Sequence, residues 1–312
     1  MSGKRVLIVG RMSMSLIMNM YKLPPVGESL VDDGGVAYIP SGEGAGSAIA
    51  FARLGADALL AGKIGADAHG QRLYKYYKDA GVNTSLIKVD RDEPTALSVI
   101  MREQGGERTL VYPGAGARYT AENIAEAMSA SPDALYLGFG IPEQLAVCAA
   151  EAAARRGIPI FVDASPVADV KIFESLPPVE VLTLDEEETL AYTGILPGGS
   201  ESSLRAALAL RKRVNAKYIV IKQGERGAFI YDGKRYYVIG AAKAGKVVDT
   251  SFAGDAFGAA MTLDYLECLD IRTAVRYAAA AAAITVSREG SFSSVPTEAE
   301  VRGFMLRSGY GY

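Results

Sequence analysis

Apolar and polar positions along the chain alternate between two patterns. One is a short unbroken apolar run closed by a turn residue. "KRVLIVG" at 4–10 is the first, and such a run reads as a strand buried on both faces. The other carries apolar residues at helical spacing. "GAGSAIAFARLGA" at 44–56 is of this kind, with Gly55 placed as a C-cap. The strand "DALLAGKIG" and the helix "DAHGQRLYKYYKDAG" come next, and the alternation returns further on. "DALYLGF" precedes the helix "PEQLAVCAAEAAARRG" and the strand "IPIFVDAS". "VEVLTLD" precedes the helix "EEETLAYTG", and "KYIVIKQG" follows the helix "ESSLRAALALRKRV". Strands alternating with helices of this length predict a doubly wound, mostly parallel α/β sheet with helices on both faces. Ligands of such sheets bind beyond the carboxyl ends of the strands.

Two stretches break the alternation. "VDDGGVAYIPSG" and "TALSVIMREQGGERTLVYPG" read as antiparallel strands, the second a hairpin turning at "QGGE". They predict a small β-sheet built from segments at roughly 12–42 and 94–117, standing off one domain that spans 1–312. An exposed apolar face on that sheet would serve as a lid or as a homodimer contact.

Composition narrows the partners. The chain has 312 residues, 49% apolar and 22% charged, with a net charge of −3. It has no basic footprint, so nucleic acid is not an expected partner. The N-terminal apolar run is too short for a signal segment, and the run at 278–286 is too short to span a membrane. The alanines at 278–283 predict a tightly packed helix. Cys148 and Cys268 form no CxxC pair and read as buried thiols of a cytoplasmic protein. His69, the chain's single histidine, sits in a Gly-flanked loop and reads as a surface residue. It has no neighbours to form a zinc cluster.

The candidate chemistry lies in "DTSFAGDAFGAAM" at 249–261. "GKVV" before it reads as the end of a strand, and "DAFGAAMTLDYLEC" has helical spacing, with Phe257, Met261 and Tyr265 on one side. "SFAGD" is then the turn into a helix, whose first amides lack internal partners and attract an anion. Taken alone, Asp255 reads as a helix cap.

This segment resembles the signature of the ribokinase-like (PfkB) family of carbohydrate and nucleoside kinases, Asp-Thr-x-small-Ala-Gly-Asp. Further segments similar to that family occur in order at 41–56, 62–70, 183–189, 222–228 and 287–297. The resemblance implies a doubly wound domain with a β-sheet lid, and a kinase that uses ATP and Mg²⁺ on a small hydroxylated metabolite. It implies Asp255 as the base, with the amides of Phe252, Ala253 and Gly254 holding the transferring phosphoryl group. Asp185 and Glu188 match the segment near Mg²⁺ and the phosphates, with Asp185 replacing an asparagine. "DEEE" also reads simply as an acidic helix start. Gly224 and Gly227 would let backbone approach the nucleotide. Lys222 replaces a small hydroxyl residue and is either a phosphate partner or a solvated lysine. Ala279 would line the adenine pocket. Asp249, Ser251, Gly290 and Ser294 fall where many members bind a monovalent cation such as K⁺.

The acceptor side departs from the family. Its strand aspartate is Ser15. Its Gly-Gly-x-Gly-x-Asn segment is Ser41-Gly42-Glu43-Gly44-Ala45-Gly46, so Gly42 and Gly44 are kept and the asparagine is Gly46. A third sugar contact is Gly140. Ribose is therefore not the expected acceptor, and Arg11 or Glu43 would supply replacement contacts. Phe252 calls for a negative φ, with its ring toward the space left by Gly46 and Gly140. The missing contacts and Phe252 keep open a catalytically silent homologue that binds a sugar or nucleoside. A dinucleotide-dependent oxidoreductase would need G-x-G-x-x-G after the first strand, where the chain reads "VGRMSM".

Overall fold

The computed structural model describes residues 3–105, 107–112, 118–165, 169–289 and 292–310. Its strands are β1 Arg5–Val9, β2 Ser13–Met20, β3 Val36–Ser41, β4 Asp57–Gly65, β5 Ile87–Asp90, β6 Leu97–Glu103 and β7 Arg108–Val111. There follow β8 Ala134–Gly138, β9 Ile160–Asp163, β10 Val179–Leu184, β11 Ala216–Lys222, β12 Ala228–Tyr231 and β13 Tyr236–Ile239. The helices are α1 Glu43–Arg53, α2 Ala68–Asp79, α3 Ala121–Met128, α4 Glu143–Ala154 and α5 Ile172–Ser175. The last five are α6 Glu186–Thr193, α7 Ser200–Arg211, α8 Ala253–Cys268, α9 Ile271–Val286 and α10 Glu298–Ser308.

The large sheet runs β13-β12-β11-β10-β9-β8-β1-β4-β5. It is parallel from β5 across to β11, and antiparallel only at the β12–β13 edge. β1 shows why its run is apolar throughout. Val6 and Ile8 face a core shared with α1, α8 and α9, while Leu7 and Val9 face a second core against α3 and α4. Both faces of each central strand are covered, so no polar alternation survives.

The second sheet runs β3-β2-β6-β7. The hairpin β6–β7 is antiparallel, pairing Val99 with Val111 and Arg102 with Arg108. At its centre β2 pairs antiparallel with β3 and parallel with β6. β2 lies within the small-sheet segment expected at 12–42, and its polar positions Ser13 and Ser15 are buried.

Several local expectations are corrected. "GKVV" forms no strand: Val247 and Val248 are exposed in a loop, and Val248 N–H donates to Val286 O at 2.8 Å. "VDDGG" also stays outside β3. His69 lies in the first turn of α2, half-buried, its ring 5.4 Å from that of Tyr38. Cys268 is exposed and Cys148 half-buried. α8 is buried on every side from Ala256 to Tyr265 rather than along one stripe. Among the described residues no helix is long and apolar enough to cross a membrane.

Candidate active site

The carboxyl ends of β1, β8, β9 and β11 converge on the N-termini of α1 and α8. Asp255 stands in the first turn of α8, partly exposed. It does not cap that helix, whose N-cap Phe252 has no side-chain capping bond. Instead its Oδ1 accepts from Ser47 Oγ of α1 at 2.8 Å. The carboxylate is thus turned away from its own helix and held from outside. Burial raises the Asp255 carboxyl to about 7, opposed by the Ser47 hydrogen bond and Lys222, and reinforced by Asp163 and Glu43. That is where a general base is most effective near neutral pH.

Gly46 fits this arrangement sterically. A Cβ built there would lie 2.5 Å from Asp255 Cγ and 2.6 Å from Oδ1. Gly46 therefore does not open space for an acceptor; Asp255 occupies it. Gly42 has φ +96, and a Cβ there would strike Arg11 O. Gly44 packs on Gly10: a Cβ on Gly44 would lie 2.8 Å from the Gly10 carbonyl carbon. These two glycines seat α1 against the β1–β2 junction.

Lys222, at the end of β11, is not solvated. Its Nζ binds Asp163 Oδ1 at 2.9 Å and lies 3.7 Å from where a Cβ on Gly254 would stand. Asp163 also accepts from Thr183 Oγ1 at 2.8 Å and from Tyr136 OH at 3.1 Å. Burial alone would lower the Lys222 ammonium, but Asp163 and Glu188 override it and hold it above its ordinary value. Asp163 was not singled out by sequence. The available signal was an acid closing the buried strand "IFVD".

Asp185 and Glu188 form a capping box on α6: Glu188 N–H donates to Asp185 Oδ1 at 2.8 Å, and Asp185 N–H to Glu188 Oε2 at 2.7 Å. The acidic helix-start reading is thus realised in full. Burial raises Glu188 to about 8, eased by Lys222 and increased by Asp163 and Asp185. Asp163, Asp185 and Glu188 lie around one ammonium, and a divalent cation there would favour the ionised form of Glu188. Among the described residues no three acidic, His or Cys side chains are grouped to hold a metal unaided, so such an ion needs phosphate oxygens as further ligands.

The anion turn differs from expectation at one residue. Phe252 has φ +60, in the left-handed region, not a negative φ. Its ring packs in a tilted arrangement on Phe292, 4.6 Å between centroids, and not on Gly46 or Gly140. The Ala253 amide donates to Thr250 O at 3.3 Å, closing the turn. Gly254 keeps its place beside Lys222.

Ser15 is buried, its hydroxyl bound to Ser41 at 2.7 Å and Ser98 at 2.6 Å, and does not line the cavity nearby. That cavity, about 410 Å³, is lined by Arg11, Ser13, Lys63, Tyr112, Arg118 and Gly140 among others. Glu43 takes up the room beside Gly140: a Cβ there would meet its Oε2 at 2.7 Å. Arg11 pairs with Glu43 at 2.9 Å and stacks on Tyr112 at 3.8 Å.

The remaining expected residues are more dispersed. Gly224 has φ +53 and open space above it, whereas a Cβ on Gly227 would strike Ile239 O of β13. Ala279 lies in the buried face of α9. Asp249 accepts from Ser251 N–H at 2.7 Å. Ser294 is buried, and its Oγ has no partner among the described residues. Gly290 lies outside the described residues.

A parallel sheet flanked by two helix layers, with a small sheet at one edge and an acid at a helix start, defines the ribokinase-like fold. The structure of Arabidopsis thaliana ribokinase complexed with ribose and ATP matches it with a TM-score of 0.85, at 24% identity, covering 98% of this chain and 99% of that one. Residues 4–298 match the pfkB family carbohydrate kinases, and the chain belongs to that family. It is 27% identical to the ribokinase of Haemophilus influenzae, over 97% of this chain and 98% of the relative. It is 28% identical to that of Bacillus subtilis, over 96% and 98%.

Proposed function

We propose that this protein transfers the γ-phosphoryl group of ATP to a hydroxyl of a small carbohydrate or related metabolite, with Asp255 as the general base. The observation that carries this reading is the Asp255 carboxylate, drawn off its own helix by Ser47 and raised to about 7. A capping acid would do the reverse: it would bind its own amides and ionise more readily.

Phosphoryl transfer asks mainly for placement and charge stabilisation. The α8 N-terminus, with Gly254 at its second position, offers amides to the phosphoryl oxygens. Lys222 brings an ammonium to the same place, fixed by Asp163. Asp255 takes the proton of the attacking hydroxyl. Gly224 offers exposed backbone to the nucleotide at the end of β11. Asp185 and Glu188 would hold Mg²⁺ together with the phosphates, where it supplies neutralisation of their charge. The small sheet acts as a lid over the acceptor and as a homodimer contact, consistent with exposed Val36 and Val111. Asp249, Ser251 and Ser294 frame a monovalent-cation site such as one for K⁺, and Ala279 borders the adenine. Phe252 packed on Phe292 stays clear of the acceptor, which supports an active enzyme over a silent homologue.

The test is ADP formation from ATP across a panel of sugars, sugar derivatives and nucleosides. Acceptor-dependent turnover that disappears in Asp255→Asn is expected. A wild type inert with every acceptor, or an Asp255→Asn variant of near-normal rate, contradicts the reading.

A further inference from the structure

The cavity beside Gly140 is charged in one sense. Arg11, Lys63 and Arg118 line it, and no acidic side chain does among the described residues. This stands out in a chain of net charge −3. The acids that hold two of these cations stand behind them: Glu43 on Arg11 at 2.9 Å and Asp90 on Lys63 at 3.2 Å. The rest of the wall is largely apolar, including Met12, Leu97 and Ile141. Three cations around a largely apolar wall attract an anion.

Two details tune Arg11 for this work. Tyr112 supports one face of its guanidinium at 3.8 Å, which leaves the planar edge for bidentate contact. Glu43, whose carboxyl burial raises despite Arg11, holds the arginine with Oε1 only. Its Oε2 is buried and bonds no nitrogen of Arg11 among the described residues, so Arg11 is restrained without a full fork-to-fork pairing.

α1 links the cavity to the base through two of its side chains. Glu43 and Ser47 lie one turn apart on α1. Ser47 holds Asp255 and Glu43 holds Arg11. Four residues of helix rise about 6 Å, the length of a short carbohydrate chain.

We infer that the acceptor is an anionic carbohydrate, a sugar acid or a sugar phosphate, whose carboxylate or phosphate docks on Arg11, Lys63 and Arg118 while a hydroxyl at its other end meets Asp255. This rests on the kinase reading for the hydroxyl end, but the anion end can be tested by binding alone.

The full-length protein would be assayed with matched sets: D-ribose, D-ribonate and D-ribose 5-phosphate; D-glucose, D-gluconate and D-glucose 6-phosphate. Thermal shift reads binding and ADP formation reads turnover, both at fixed ionic strength. The anionic members are expected to exceed their neutral counterpart in affinity or in kcat/KM by about tenfold or more. The sugar-acid and sugar-phosphate arms show which anion fits. Lys63→Met and Arg118→Met are each expected to cut that preference about tenfold. Lys63→Arg should retain most of it, which separates charge from a folding defect. Equal response of all members of both sets, including no response, overturns the inference. So does a preference that survives both methionine variants. If anions bind selectively but no compound is phosphorylated, the kinase reading fails and the anion site stands.

Discussion

Replacing Asp255 by Asn removes one charge and keeps the shape. In the folded protein burial and the Asp163 and Glu43 carboxylates push Asp255 from 3.8 to about 7. At about 1.36 kcal/mol per pH unit, the ionised form is disfavoured by at most about 4 kcal/mol. The penalty is smaller in practice because Asp255 keeps a solvent-facing edge. The sign follows from linkage. The native chain retains a proton on Asp255 between about pH 4 and 7 that the unfolded chain has released. Stability is therefore lost as pH rises through that window, and the full penalty stands above pH 7. Asn carries no such penalty and can still accept from Ser47. Asp255→Asn should thus melt above wild type at pH 8 by a few degrees, at about 2–4 °C per kcal/mol, and the gap should close toward pH 4. In the same variant kcat should fall on the order of 10²-fold or more. Wild-type kcat should rise with pH and level off above about 7. Scanning fluorimetry at pH 4, 6 and 8, with a coupled ADP assay, reads all of this. A variant less stable than wild type at pH 8 refutes the electrostatic reasoning.

Lys222→Met should lower kcat on the order of 10²-fold and destabilise the fold by about 3–5 kcal/mol, because Asp163 is left buried without its partner. Adding Asp163→Asn should restore the melting temperature without restoring turnover; recovery of both would make Lys222 a purely structural residue. Gly46→Asn, which brings back the family's residue, should reduce kcat by about tenfold or more by pushing Asp255 aside, and turnover of the best wild-type acceptor under saturating ATP checks it. Phe252→Gly relieves a left-handed residue, worth about 1–2 kcal/mol, and loses the tilted ring contact with Phe292, worth about 0.5–1.5 kcal/mol beyond its area. Its stability should change little and its acceptor KM should stay at the wild-type value; a large KM shift would place the ring in the acceptor site.

The central strands were legible because burial on both faces leaves unbroken apolar runs, as in "VLIV" and "YIVI". The parallel class of the sheet and the starts of several helices followed from the same alternation, but the strand order did not. β2 carries serines on one face and methionines on the other, and the serines are buried with each other: Ser13, Ser15, Ser41 and Ser98 bond within the small sheet. Polar pattern normally signals solvent, and here it signals an internal network. At the site, chain order alone points to Asp255 and Gly254. It misjudges residues defined by packing across elements. Gly46 reads as a missing side chain until Asp255 is seen filling its place. Gly140 reads likewise until Glu43 is seen beside it. Asp163 and Lys63, on separate strands, become site residues only when the sheet sets their carboxyl ends side by side. The left-handed Phe252 was beyond pattern altogether, since aromatic residues rarely adopt that conformation and only the Phe292 contact accounts for its ring.

The most direct test of the account is to follow phosphorus during turnover. Wild-type protein, ATP and the acceptor giving the largest thermal shift would be mixed and followed by phosphorus NMR, beside Asp255→Asn. The account predicts loss of the γ-phosphate signal, appearance of ADP and of one new phosphomonoester in equal amounts, and almost none of this with the variant. ADP appearing with inorganic phosphate and no phosphomonoester, or equal product from both proteins, would contradict it.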